Sequence, residues 1–222
     1  MAFSDWTLYD INDITITPNT TNQLEGFQSL DIEKTSGVTV FNAGAVKVSD
    51  VAEAGGMTRG ITAGRMRTQM QRLSGGVNPG LAGIYCMLTS TTDPTLSSVD
   101  AYTLNVEEDG SMSIRKVSNG LPDNTPVILA TGANEISDVT SPFTIELMWF
   151  YDIPEFNGIR LIAKKGLMSD YSDLAPISSF DVIDASTPLS SSLGEGLFYA
   201  TNNAAEAKWI FDRTELYSVA FV

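Results

Sequence analysis

The chain has 222 residues, of which 43% are hydrophobic and 18% charged, enough apolar material for one large domain to bury its own core. Its 27 acidic and 13 basic residues give a net charge of −14, a field that repels phosphate backbones and anionic lipid surfaces and so argues against nucleic-acid and membrane partners. With no histidine and a single cysteine, His-based catalysis, His metal sites and internal disulfides are all excluded.

The start, Met1-Ala2-Phe3-Ser4-Asp5-Trp6, lacks a basic region followed by an apolar stretch, so no secretory signal is expected. No run reaches the roughly 18 apolar residues of a membrane-spanning helix. Strand patterning then takes over. Residues 13–17 alternate with period two and are expected to stop at Pro18. Residues 29–33 alternate again, and 37–41 follow a polar turn. A long loop is expected near 42–62; its best helical stretch, 48–57, is short and contains Gly55-Gly56. In 64–70, Met66, Thr68 and Met70 share one face while Arg65, Arg67 and Gln69 share the other. Cys86 lies inside the apolar run 84–88, where a thiol serves as a small core residue.

Further along, 101–106 points Tyr102, Leu104 and Val106 inward and runs into Asp109-Gly110, a hairpin step because both residues tolerate positive φ. Residues 112–117 return, and Asn119-Gly120 with Pro122 turns the chain again. Strands are expected at 127–130, at 143–151 (closed by Pro154 and Asn157-Gly158) and at 159–164. A Ser-, Asp- and Pro-rich excursion near 166–195 carries one short strand near 180–183. Closing strands are expected at 196–200, 208–212 and 215–219. About a dozen short strands with Gly, Pro, Asn and Asp between them predict an all-β, antiparallel two-sheet sandwich, a single domain over 1–222.

From Gly64-Arg65-Met66-Arg67-Thr68-Gln69 onward, the order of elements resembles the concanavalin A-like lectin/glucanase superfamily in its laminin-G-like form. Ala101-Tyr102-Thr103-Leu104-Asn105-Val106 and residues 110–117 resemble the strands on either side of its hairpin. Residues 143–151, 158–163, 196–199 and 209–212 match the remaining order, and 26–32 resemble its early strand. The signal-free start and the Thr- and Asn-rich first strand resemble tailed-phage virion proteins that carry this jelly roll. The likeness implies a concanavalin A-like jelly roll acting as a non-enzymatic virion component (head decoration, collar or tail). Such a part would assemble in the host cytoplasm against other virion proteins and copies of itself. The alternative it implies is a carbohydrate-binding lectin or adhesin domain; a degenerate glycosidase is a third.

Glucanases of the superfamily carry Glu-x-Asp-x-x-Glu or a close variant on one strand, and no such spacing occurs. Glu135 with Asp138, and Glu107-Glu108-Asp109, read as solvated turns. Asp10, Asn12 and Asp13, like Asp170 and Asp173, are oxygen-rich but lack the spacing of a calcium loop, so no ligand is assigned and no cofactor is expected, with a structural calcium as the lesser alternative. Gly55-Gly56 and Gly75-Gly76 are turn glycines without a phosphate-loop lysine. Trp149 with Tyr151, and Trp209 with Phe211, have core parity; Trp6 fits either core or contact. Arg65, Arg67, Arg115, Arg160 and Lys164 have outward parity, which describes either a solvated face or a basic patch for an acidic partner. The apolar ends, with Phe3 at one and Phe221 and Val222 at the other, either extend the protein's own strands or pack on a neighbour. The candidate contact residues are therefore Phe3, Arg65, Arg67, Arg115, Arg160, Phe221 and Val222.

Overall fold

The period-two alternation becomes fourteen strands, with no helix among the described residues. The computed structural model describes residues 6–11, 14–21, 24, 29–35, 42–48, 63–75, 80–89, 93–95, 98–121, 125–151, 157–167, 174–190, 194–201 and 207–219. One sheet runs, in spatial order, β1 (Trp6–Ile11), β4 (Asn42–Val48), β13 (Gly196–Thr201), β6 (Gly80–Cys86), β7 (Ala101–Glu107), β8 (Met112–Val117) and β9 (Val127–Gly132). The second runs β12 (Ala175–Asp184), β11 (Ile159–Leu167), β10 (Phe143–Tyr151), β5 (Ala63–Gly75), β14 (Ala207–Val219), β3 (Ser29–Lys34) and β2 (Ile14–Asn19). Every pairing within the two sheets is antiparallel.

Inward parity fills the space between the sheets. Ile84, Cys86, Leu104 and Ile114 from the first share one buried cluster with Met66, Leu147, Trp149 and Trp209 from the second. Phe143 meets the Trp209 ring edge-on, with centroids 6.5 Å apart, a geometry favoured by the aromatic quadrupole. Burial pushes the Cys86 thiol well above its ordinary value, as suits an inert core residue. The Asp109-Gly110 step forms the β7–β8 hairpin with Gly110 at φ 82°, and a Cβ there would collide with the Ile136 carbonyl.

Several boundaries depart from the sequence reading. β1 was not foreseen as a strand, and its Trp6 is a core residue. β4 occupies the start of the expected 42–62 loop, and β12 fills ten residues where one short strand was expected. β2 continues through Pro18; as an edge strand it tolerates a residue with no N–H to donate. The two closing strands 208–212 and 215–219 are one strand, β14, irregular between Asp212 and Glu215 with Arg213 at φ 44°. The expected strand 37–41 and most of the 48–57 stretch lie outside the described residues.

The first sheet carries a second apolar layer on its outer face. Ala45, Tyr85, Ala101, Val117, Phe198 and Ala200 project there and are buried with Leu88, Val99 and Leu121. The covering segment is tied down by backbone bonds from Thr89 to Asp100, Gly120 to Val99 and Leu121 to Pro94. At one edge the sheets are pinned together by Asp184. It accepts the Tyr102 hydroxyl at 2.7 Å, lies 3.2 Å from Lys116 Nζ, and takes the Ser186 hydroxyl at 2.9 Å.

Candidate functional site

On the central strands of the second sheet, the side chains that do not enter the core point outward, and register lines them into rows across the strands. One row is Ile162, Met148, Arg65 and Tyr217, on β11, β10, β5 and β14. The next is Lys164, Glu146, Arg67 and Glu215, and a third is Thr144, Gln69 and Asp212. Strand spacing makes a four-strand row about 14 Å long at the backbone.

The second row alternates in charge. Lys164 Nζ lies 3.1 Å from Glu146 Oε1, and Arg67 donates from both Nε (3.1 Å) and Nη2 (2.5 Å) to Glu215 Oε2. The Tyr217 hydroxyl donates to the same oxygen at 2.6 Å. Burial would raise the Glu215 pKa, but the hydrogen bonds from Tyr217 and Arg67 outweigh it and hold the carboxyl below its usual range. The Tyr217 ring is 44% exposed, with the Arg65 guanidinium 4.3 Å and that of Arg67 5.6 Å from its centre.

Part of this face is polar and buried. Gln69, Thr144, Glu146 and Asp212 are buried despite outward parity. Asp212 accepts the Leu24 amide at 2.7 Å. Among the described residues Thr144 Oγ1 and Glu146 Oε1 have no hydrogen-bond partner, so the Lys164–Glu146 contact is one of charge. At one rim, Arg160 grips Asp181 bidentately at 2.7 and 2.6 Å, holding that carboxyl below its usual range. At the other, Lys208 lies 2.9 Å from Asp31 and 3.3 Å from Glu33.

The structure therefore brings Arg65, Arg67, Arg160 and Lys164 onto one face and leaves Arg115 on the outside of the other sheet. There Arg115 donates to Glu107 at 2.6 Å and Ser113 at 2.8 Å, beside a small hollow lined by Leu81, Asn105 and Phe198. Phe3, Phe221 and Val222 lie outside the described residues, as do the side chains of Asp10, Asn12, Asp13, Asp170 and Asp173. Among the described residues no group of three His, Cys, Asp or Glu is placed to hold a metal. Sequence reasoning missed Glu146, Asp181, Glu215 and Tyr217. A glutamate at polar parity within the otherwise apolar 143–151 strand was the available signal for Glu146.

No family model matches the sequence, and no curated protein matches it. Solved structures match its fold. The endo-β-1,4-glucuronan lyase of the fungus Trichoderma reesei gives a TM-score of 0.63 at 10% identity, over 96% of this chain and 90% of that one. The exoplasmic/lumenal domain of VIP36, in its Ca2+/Man3GlcNAc-bound form, gives 0.55 at 10% identity, over 100% and 88%. A legume lectin-like domain from Entamoeba histolytica gives 0.53 at 12% identity, over 99% and 92%. The chain thus has the concanavalin A-like jelly-roll fold that its strand order resembles, shared here with lectin domains and a polysaccharide lyase.

Proposed function

We propose that the chain is a non-catalytic carbohydrate-binding module that holds a saccharide against the outer face of its second sheet. The observation that carries this is the row Ile162, Met148, Arg65 and Tyr217, lying beside the alternating Lys164, Glu146, Arg67 and Glu215. A sugar ring presents apolar C–H faces and a rim of hydroxyls. An exposed aromatic ring with half-buried apolar neighbours suits the faces, and fixed charged groups suit the rim. Lectin domains of the same fold support the reading. The virion role implied by the sequence resemblance has no such support, so glycan binding becomes the leading function.

Non-catalytic is the better description for this site. Glycoside hydrolysis needs one carboxyl protonated near the working pH. Glu215 is held the other way, below its usual range, and Glu146 lies against Lys164.

The test is retention on a glycan array by the wild-type protein and by Tyr217→Ala, with product analysis on any glycan bound. Binding by the wild type, a drop of about tenfold or more in the variant and no chain cleavage are expected. No retention of any glycan, or retention indifferent to Tyr217, overturns the proposal.

A further inference from the structure

We infer that Arg65 makes this face selective for anionic saccharide units, those bearing a carboxylate or a sulfate; the inference rests on the glycan reading above. Arg67, Arg72, Arg115, Lys116, Arg160, Lys164, Lys165 and Lys208 each lie against a carboxylate. Arg65 makes no ion pair and no hydrogen bond among the described residues; its contact is the Tyr217 ring. In a chain with 27 acidic and 13 basic residues, carboxylates are in surplus, and Arg65 is paired with none of the described ones.

A carboxylate in the adjacent row shows how this arises. Glu215 sits two residues from Tyr217, but its Oε2 already accepts Arg67 through two nitrogens and the Tyr217 hydroxyl. Arg67 therefore takes the local negative charge and leaves the Arg65 guanidinium unneutralised. Its partner in stacking is held as well, because the Tyr217 hydroxyl is anchored to Glu215.

The contact with the Tyr217 ring, 4.3 Å from the guanidinium carbon to the ring centre, uses the cation's charge and occupies none of its N–H donors, which stay available to an oxyanion. The rotamer freedom of Arg65 is already restricted, so an incoming oxyanion meets a fixed fork. Met148 and Ile162 continue the same row and are half-buried, which leaves an apolar strip for the ring that carries the anion. The net charge of −14 opposes long-range attraction of a polyanion. Selection at short range is a different matter, since screening at physiological salt cuts off interactions beyond about 8 Å.

The experiment uses the full chain on an array of neutral, uronate-containing and sulfated glycans, followed by titration of cello-oligosaccharides and β-1,4-oligoglucuronates of equal length. These two differ by a hydroxymethyl against a carboxylate on each ring. The expected result is preference for the anionic members by about tenfold or more. Arg65→Gln is expected to abolish that preference, bringing anionic and neutral binding level with each other, and Tyr217→Ala to weaken both. The uronate and sulfate arms report which oxyanion is read. Equal binding of neutral and anionic glycans, or an anionic preference that survives Arg65→Gln, overturns the inference and leaves the glycan reading standing. Absence of binding to every glycan removes both.

Discussion

On the outside of the first sheet, Tyr85 and Phe198 disappear beneath the segment around Leu88, Val99 and Leu121; on the outside of the second, Tyr217 stands exposed above paired charges. All three residues have the same parity relative to the core, so alternation alone does not say which outward face meets solvent. The difference lies in what accompanies them. Beside Tyr85 and Phe198 the first sheet presents small residues, Ala45, Ala101 and Ala200, which let another layer approach closely. The second sheet presents long charged side chains that pair across strands and would be costly to bury under an apolar cover. One outer face therefore behaves as interior, and the other keeps Tyr217 exposed among its charged pairs.

Truncation should separate the two faces by the largest margin. Phe198→Ala removes a ring that is 2% exposed and opens a cavity, for which a loss of about 3–5 kcal/mol is expected. Tyr217→Ala removes a ring of similar size from an exposed site, and a change within about 0.5 kcal/mol is expected. Urea or guanidinium unfolding of both variants measures this. Equal losses would mean that the second face is also covered, and the comparison would break.

Carboxylates sharpen the same contrast. Asp184 is buried, and although burial alone would raise its pKa, hydrogen bonds from Tyr102, Ser186 and Lys116 hold it at about 2. The folded value lies below the unfolded one of about 3.9. Its contribution, about 2 kcal/mol, is therefore complete above pH 4 and disappears as the pH falls toward 2. Asp184→Asn leaves Lys116 buried without its counter-charge, and about 3 kcal/mol should be lost at neutral pH. The variant should also lose less stability than the wild type on acidification from pH 4 toward 2. Parallel acid profiles for the two proteins would show that Asp184 does not carry this pH dependence.

Most of the fold was legible because period two is a local signal. Residues 143–151 were bounded correctly, and Met66 and Met70 faced inward with Arg65 and Arg67 outward, as alternation required. β4 was not legible, since Asn42, Gly44 and Ala45 give it weak strand character and its place comes from pairing with β1 and β13. The site was half legible. Parity identified Arg65, Arg67, Arg160 and Lys164, but their companions are set by register between distant strands; Arg67 and Glu215 lie 148 residues apart. Arg115 had the same parity as the others and went to the opposite sheet, because parity fixes a face only relative to a strand's own sheet. Whether the arginines were free or paired was likewise invisible until the carboxylates were in place.

The smallest expected effects concern the pairs on the open face. Arg67–Glu215 sits in the middle, with side chains 14% and 26% exposed, and Arg160–Asp181 at the rim, with 33% and 40%. Double-mutant cycles should give a coupling of about 1 kcal/mol for the central pair and about 0.5 kcal/mol or less for the rim pair, with the rim value falling further in high salt. The order matters more than the sizes. A face that holds a ligand by fixed geometry needs its rigid pairs where the ligand lies and tolerates loose ones at the edge, since groups already ordered cost less to engage. A rim coupling larger than the central one would mean that Arg67 is not held by Glu215, whose carboxylate would then be open to Arg65.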